Sequence, residues 1–202
     1  LADYGMILDI PTWVIHDKKA GKACGITTLE EAVAATKFNN EYFMAHRKGK
    51  KNGGAKFLNV LQGLTHDQSK AWYGEMKKYC DPTVYPDSHF NGWAFGGQNK
   101  VDIHLTLRRI VDIIYDGLLQ EGKHDLIHCL GVSILEYAVL FTDIQKAVRA
   151  NHNPKLVITF DCASPFFSAA KGLAYFNNSI EHDQKWSYQM TKTAEGKHYG
   201  IV

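Results

Sequence analysis

Five positions, Asp9, Gln62, Gly97, Leu130 and Asp161, stand where short apolar runs give way to polar or glycine-rich turns. They are spaced by 53, 35, 33 and 31 residues. In an α/β barrel the reactive groups sit at the C-terminal ends of the strands, so these positions can be read together as the rim of one mouth. Two carboxylates, one carboxamide and the Gly96-Gly97 and Gly131 turns would then converge. Such a mouth suits a flat, purine-like base. A carboxylate can accept from the ring N–H and exocyclic amine of a guanine edge, while a carboxamide and a bare glycine N–H donate to its carbonyl. The second carboxylate is left free to attack a sugar. Each residue also has a plainer role: Asp9 could cap the following turn, Gln62 could satisfy loop backbone, and Gly96-Gly97 could be a tight strand-to-helix connection.

Positioning those residues requires a β/α alternation, and the chain has one. Apolar runs predict strands over Gly5 to Ile10, Lys56 to Leu61, Asn91 to Phe95, Asp125 to Leu130 and Lys155 to Phe160. Most are apolar nearly throughout, as in a parallel sheet covered on both faces. Helix starts are marked by Thr28 with Glu31 and by Ser133 with Glu136, both fitting the S/T-x-x-E capping box. Ile103, Leu107, Ile110, Ile114 and Leu118 recur at steps of three and four, predicting one buried stripe. A barrel of about 250 residues averages about 31 per βα unit, close to the spacings observed. Only five units are present, so the chain is either an open five-stranded sheet or roughly the last five units of a (β/α)8 TIM barrel. The start at Leu1 to Tyr4, with no lead-in before the first strand, favours the second. Residues 1–176 are read as that part of a catalytic barrel, and 177–202 as a polar extension without sustained period.

The bulk properties narrow the partners little. Lys and Arg number 23 against 21 Asp and Glu, a net charge of +2, so a polyanion has to be argued from the site rather than from the overall field. The most basic stretch, Arg47 to Lys56, joins a helix to the next strand at the face opposite the mouth and reads as a solvated turn. Cys24, Cys80, Cys129 and Cys162 are far apart and form no C-x-x-C pair, which reads as reduced, intracellular thiols. No apolar run approaches the ~18 residues of a membrane span and no leader precedes the first strand, so a soluble, cytoplasmic protein is expected. Nothing calls for a cofactor or metal within this length.

In order, Gln62-Gly63, then Gly92-Trp-Ala-Phe-Gly-Gly97, then Leu130-Gly-Val132, then Phe160-Asp-Cys-x-x-Pro165 resemble the tRNA-guanine transglycosylase superfamily, whose barrel strands end in V-Q-G-G, G-y-A-I-G-G, M-G-V-G and F-D-C-V-x-P-T-R. The resemblance runs from about Gly5 to Gly172. It implies a TIM barrel in which Asp161 is the nucleophile and Asp9 reads the guanine edge. Gln62 and Gly97 would hold the base's carbonyl, and Leu130 takes the place of a Met that packs on the ring. Gly96, Gln98 and Gly131 lie in the same motifs and join the base-binding set. Departures are Leu64 for the second Gly, Gln98 for a Leu, and Phe166-Phe167 for Thr-Arg. The family's second catalytic aspartate belongs to an earlier strand, upstream of Leu1.

What the resemblance implies is base exchange: guanine in a nucleic acid is replaced by a 7-deazaguanine base through a covalent glycosyl-aspartate. The target base must be flipped or unpaired, with Trp93 and Phe166-Phe167 as candidate stacking surfaces. Loss of the Thr-Arg charge points to DNA rather than tRNA, as in phage and bacterial relatives that modify DNA. The alternatives are a tRNA enzyme, whose zinc module would follow Val202, a non-catalytic partner subunit, and an unrelated barrel acting on a phosphorylated metabolite. A homodimer is left open.

Overall fold

The computed structural model describes residues 2–47, 54–100, 102–132, 134–180 and 186–192. Its first compact unit spans Leu1–Asp161 and its second Cys162–Val202. The first unit is a mixed α/β fold built on β1 (Tyr4–Met6), β2 (Lys56–Leu61), β3 (Gly92–Phe95), β4 (Leu126–Cys129) and β5 (Val157–Phe160). These pair in chain order β1-β2-β3-β4-β5, every pair parallel. The sheet curls as half a barrel, consistent with part of a (β/α) barrel. Each predicted strand is present. The first is shorter than expected, because the backbone makes one further sheet bond, Ile7 N–H to Leu58, and then turns at Pro11 into a 3-10 turn over Thr12–Ile15.

Helices fill every connection, as parallel strands demand. α1 (Lys18–Cys24) and α2 (Leu29–His46) join β1 to β2, α3 (His66–Met76) joins β2 to β3, α4 (Ile103–Tyr115) joins β3 to β4, and α5 (Leu135–Asn151) joins β4 to β5. The capping box opening α2 is complete: Glu31 N–H donates to Thr28 Oγ1 at 3.2 Å, and Thr28 N–H to Glu31 Oε2 at 3.1 Å. The box expected at α5 does not form that way. Its N-cap is Ile134, without a side-chain bond, and Ser133 lies outside the described residues. On α4 the buried face runs through Leu105, Thr106, Arg109, Ile110 and Ile113, so the expected stripe is rotated and Leu107 is exposed.

The core lies between sheet and helices and is rich in aromatics. Trp72, Trp93, Phe90 and Phe95 are fully enclosed, each contributing roughly 1.5–3 kcal/mol of transfer free energy. Their polar atoms are satisfied: Trp72 Nε1 donates to Val60 O at 2.9 Å, and Trp93 Nε1 to Leu118 O at 3.0 Å. Trp93 is therefore core, and the stacking role considered for it is ruled out by its burial. Arg47 corrects another expectation. It is no solvated turn residue, because its guanidinium donates to Ser88 O, His89 O, Ala55 O and Asn91 Oδ1 at 3.0–3.2 Å while lying over Phe43 and Phe57. It clamps the N-terminal ends of β2 and β3. Lys48 to Gly53, the rest of that basic stretch, lie outside the described residues.

The second unit contains α6 (Ser164–Ala170) and an antiparallel hairpin of β6 (Leu173–Ile180) and β7 (Trp186–Lys192). Within the stretch 177–202, read from sequence as a polar extension, the described residues belong to this hairpin. Among the described residues no helix is long and apolar enough to cross a membrane.

Candidate functional site

At the C-terminal ends of β1 to β3, four of the expected residues, Asp9, Gln62, Gly96 and Gly97, lie together. Two tethers hold the loop after β1: Ile10 N–H donates to buried Thr36 Oγ1 at 3.0 Å, and Asn39 Nδ2 donates to Leu8 O at 3.1 Å. Between them Asp9 Oδ2 accepts from Gln62 Nε2 at 2.8 Å. Burial raises the Asp9 carboxyl above its ordinary value, against the hydrogen bonds from Gln62 and its own backbone. The 3-10 turn after Asp9 is flanked by Pro11 with no side-chain cap, the Gln62 amide meets a carboxylate rather than loop backbone, and Gly96-Gly97 do form a tight strand-to-helix connection.

Gly96 and Gly97 make that meeting sterically feasible. A Cβ on Gly96 would stand 2.5 Å from Gln62 Nε2, and one on Gly97 would stand 2.5 Å from Gly63 O. Gly97 also has φ +56°, a left-handed conformation that favours glycine. As first residue of a 3-10 turn over Gly97–Lys100, its N–H has no acceptor within that turn. Gln98 is exposed and contributes through its backbone, donating to Gly63 O at 2.8 Å. Beneath these turns lies a buried network that sequence reading missed. Ser69 Oγ donates to Asn99 Oδ1 at 2.5 Å, Asn99 Nδ2 donates to Gly96 O at 3.2 Å, and Thr106 Oγ1 donates to Asn99 O at 2.5 Å. It fixes the ends of β2 and β3 to α3 and α4.

A second group forms at the ends of β4 and β5. Leu130 is partly buried, its N–H bonded to Phe95 O at 3.0 Å. Gly131 N–H donates to Asp161 Oδ1 at 3.1 Å, so the glycine holds the carboxylate. Asp161 is 66% exposed. Beside it stands His128, which the motif reading passed over. Its Nδ1 is 2.8 Å from Thr159 Oγ1, and its Nε2 is 3.4 Å from Asp161 Oδ1. The alternation along β4 and β5 put His128 and Thr159 on one face, a signal readable only once the parallel register, His128 opposite Thr159, is known.

Other chemistry is sparse. Cys80 and Cys129 are buried, and desolvation pushes the Cys129 thiol up to about 12, away from the thiolate a nucleophile needs. Among the described residues no three His, Cys, Asp or Glu could hold a metal together. A cleft of about 550 Å³ lies between α3 and α4, with the ion pairs Lys77–Asp116 and Arg109–Asp112 in its lining, and no strand-end residue lines it. Phe166 and Phe167 are exposed on α6 in the second unit. No family model, curated protein or solved structure matches the chain.

Proposed function

We propose that the protein is a guanine transglycosylase built on a TIM barrel, exchanging guanine in nucleic acid, DNA in preference to tRNA, for a 7-deazaguanine base. The observation that carries the reading is the division of labour between two carboxylates at the ends of one parallel sheet. Asp9 is half-buried and paired to an amide; Asp161 is exposed and held by a backbone N–H. They stand at the ends of the first and last strands of the parallel sheet.

A guanine seated against Asp9 would give its N1–H and 2-amino hydrogens to the carboxylate, while Gln62 and the Gly97 N–H meet its 6-oxygen. Leu130 would pack on the ring. Asp161 then attacks C1′ of the sugar: the Asp161 O–C1′ bond forms, the C1′–N9 bond breaks, and its electron pair leaves with guanine. The incoming base reverses the step. Guanine takes up a proton and its replacement loses one, a transfer the resemblance assigns to the family's second aspartate. Phe166-Phe167 stand where the resembled family has Thr-Arg, and the loss of that charge supports DNA over tRNA.

The test is exchange itself. The protein is incubated with DNA or tRNA and labelled 7-deazaguanine, and the nucleosides are analysed by mass spectrometry after digestion. Label in DNA supports the full reading. Label confined to tRNA removes the DNA preference, and label in neither removes the activity.

A further inference from the structure

Both donors near Asp161 approach the same oxygen. Gly131 N–H is 3.1 Å from Oδ1 and His128 Nε2 is 3.4 Å from it, whereas no described residue donates to Oδ2. His128 Nε2 lies within ion-pair range but off hydrogen-bond alignment, and has no other partner although it is buried. Its ring is fixed from behind by Thr159 at 2.8 Å and is only 14% exposed, so it has little freedom to face elsewhere. A lone pair on Nε2 only 3.4 Å from a carboxylate oxygen would be repelled, so the electrostatics select the tautomer with Nε2–H, with Nδ1 accepting from the Thr159 hydroxyl.

We infer that His128 is a positioning residue for the Asp161 nucleophile, and that Thr159 sets its tautomer. The role rests on the proposed function, in which Asp161 attacks the sugar. Held at Oδ1 by Gly131 N–H, with His128 Nε2 3.4 Å from the same oxygen, the carboxylate presents Oδ2 to C1′. In the covalent intermediate Oδ2 is the ester oxygen and Oδ1 the carbonyl oxygen, which accepts from Gly131 and from His128 as it closes on the sugar. His128 keeps its proton throughout, so the step balances without it. Nε2, buried and 3.4 Å from Oδ1 without another partner, gains one when the carboxylate tightens against the sugar.

The test compares His128→Leu, His128→Gln and Thr159→Val in steady-state exchange. An exposed carboxylate that loses its alignment should drop kcat by about tenfold to a hundredfold, with KM for the nucleic acid within about threefold. The Gln amide can return an N–H toward Oδ1, so it should recover most of kcat, and Val should fall between. A merely structural histidine would lose thermal stability in Leu and Gln alike without this split. Should the Leu variant not fold, two-bond ¹H–¹⁵N spectra of the wild-type protein report the tautomer directly: Nε2–H supports the inference and Nδ1–H overturns it. Leu retaining kcat within threefold, or Gln no better than Leu, overturns His128 while wild-type exchange leaves the transglycosylase reading intact. Absence of exchange in the wild type removes that reading and the role of His128 with it.

Discussion

Gly96→Ala separates base reading from folding. The added Cβ would lie 2.5 Å from Gln62 Nε2, 2.9 Å from Cδ and 3.1 Å from Oε1, all at the far end of one side chain. Gly96 is not in a positive-φ conformation, so alanine brings no dihedral strain of its own. The clash is relieved when Gln62 turns away, and the 2.8 Å bond to Asp9 is lost. A hydrogen bond to a charged group is worth about 1.5–3 kcal/mol; because water can reach half-buried Asp9, the lower end applies. The stability loss should be about 1–2 kcal/mol, or roughly 2–8 °C in thermal midpoint for a domain of this size. Affinity for the base should fall more, about tenfold to a hundredfold, since the acceptor and the donor are displaced together and each factor of ten is about 1.4 kcal/mol. Gly97→Ala is the reference. Its Cβ meets the Gly63 carbonyl at 2.5 Å on a left-handed backbone, so it should lose more stability than Gly96→Ala. Calorimetric titration with free 7-deazaguanine, beside thermal melts, reads both. Gly96→Ala binding base as tightly as wild type would refute the pairing of Gln62 with Asp9 as a reader of guanine.

Asp9→Ala should weaken guanine-like bases more than adenine-like ones, because only the former present the matching donors; equal losses on titration would return Asp9 to a structural role. Since burial raises the Asp9 carboxyl above 3.8 and the base needs its ionised form, wild-type affinity should fall as pH drops through that raised value. Asp9→Asn should abolish this acid limb. His124 is fully enclosed, with Nε2 on Cys80 O at 2.8 Å and Nδ1 accepting from Gln120 N–H, and burial lowers its pKa to about 4. The unfolded chain takes up its proton near pH 6.5 and the folded chain only near 4, so the stabilisation is complete above 6.5 and is lost as pH falls through that window. The loss amounts to about 3 kcal/mol, and urea unfolding of His124→Gln should show the slope between those pH values reduced.

The strands were legible because a sheet covered on both faces writes continuous apolar runs, and their ends could be read from the turns. Asp9, Gln62 and Gly96-Gly97 came together as expected. The face of α4 was misread because Arg109 and Thr106, polar by type, are buried on it while Leu107 is not. Arg47 looked solvated for the same reason: its partners are carbonyls 8 to 42 residues away, invisible to local pattern. The hairpin was missed although Trp186-Ser-Tyr-Gln-Met-Thr-Lys192 alternates apolar and polar at the period of a strand. His128 could not be singled out before the register of β4 against β5 was known.

In the proposed reaction Asp161 becomes covalently bonded to the sugar. The protein is incubated with guanine-containing DNA without free base, quenched in denaturant, and the peptides are mapped by mass spectrometry. A pentose-linked fragment on the peptide carrying Phe160-Asp161-Cys162 is expected, together with its absence and loss of exchange in Asp161→Asn. Guanine exchange persisting within tenfold in Asp161→Asn, or an adduct on another residue, would contradict the account.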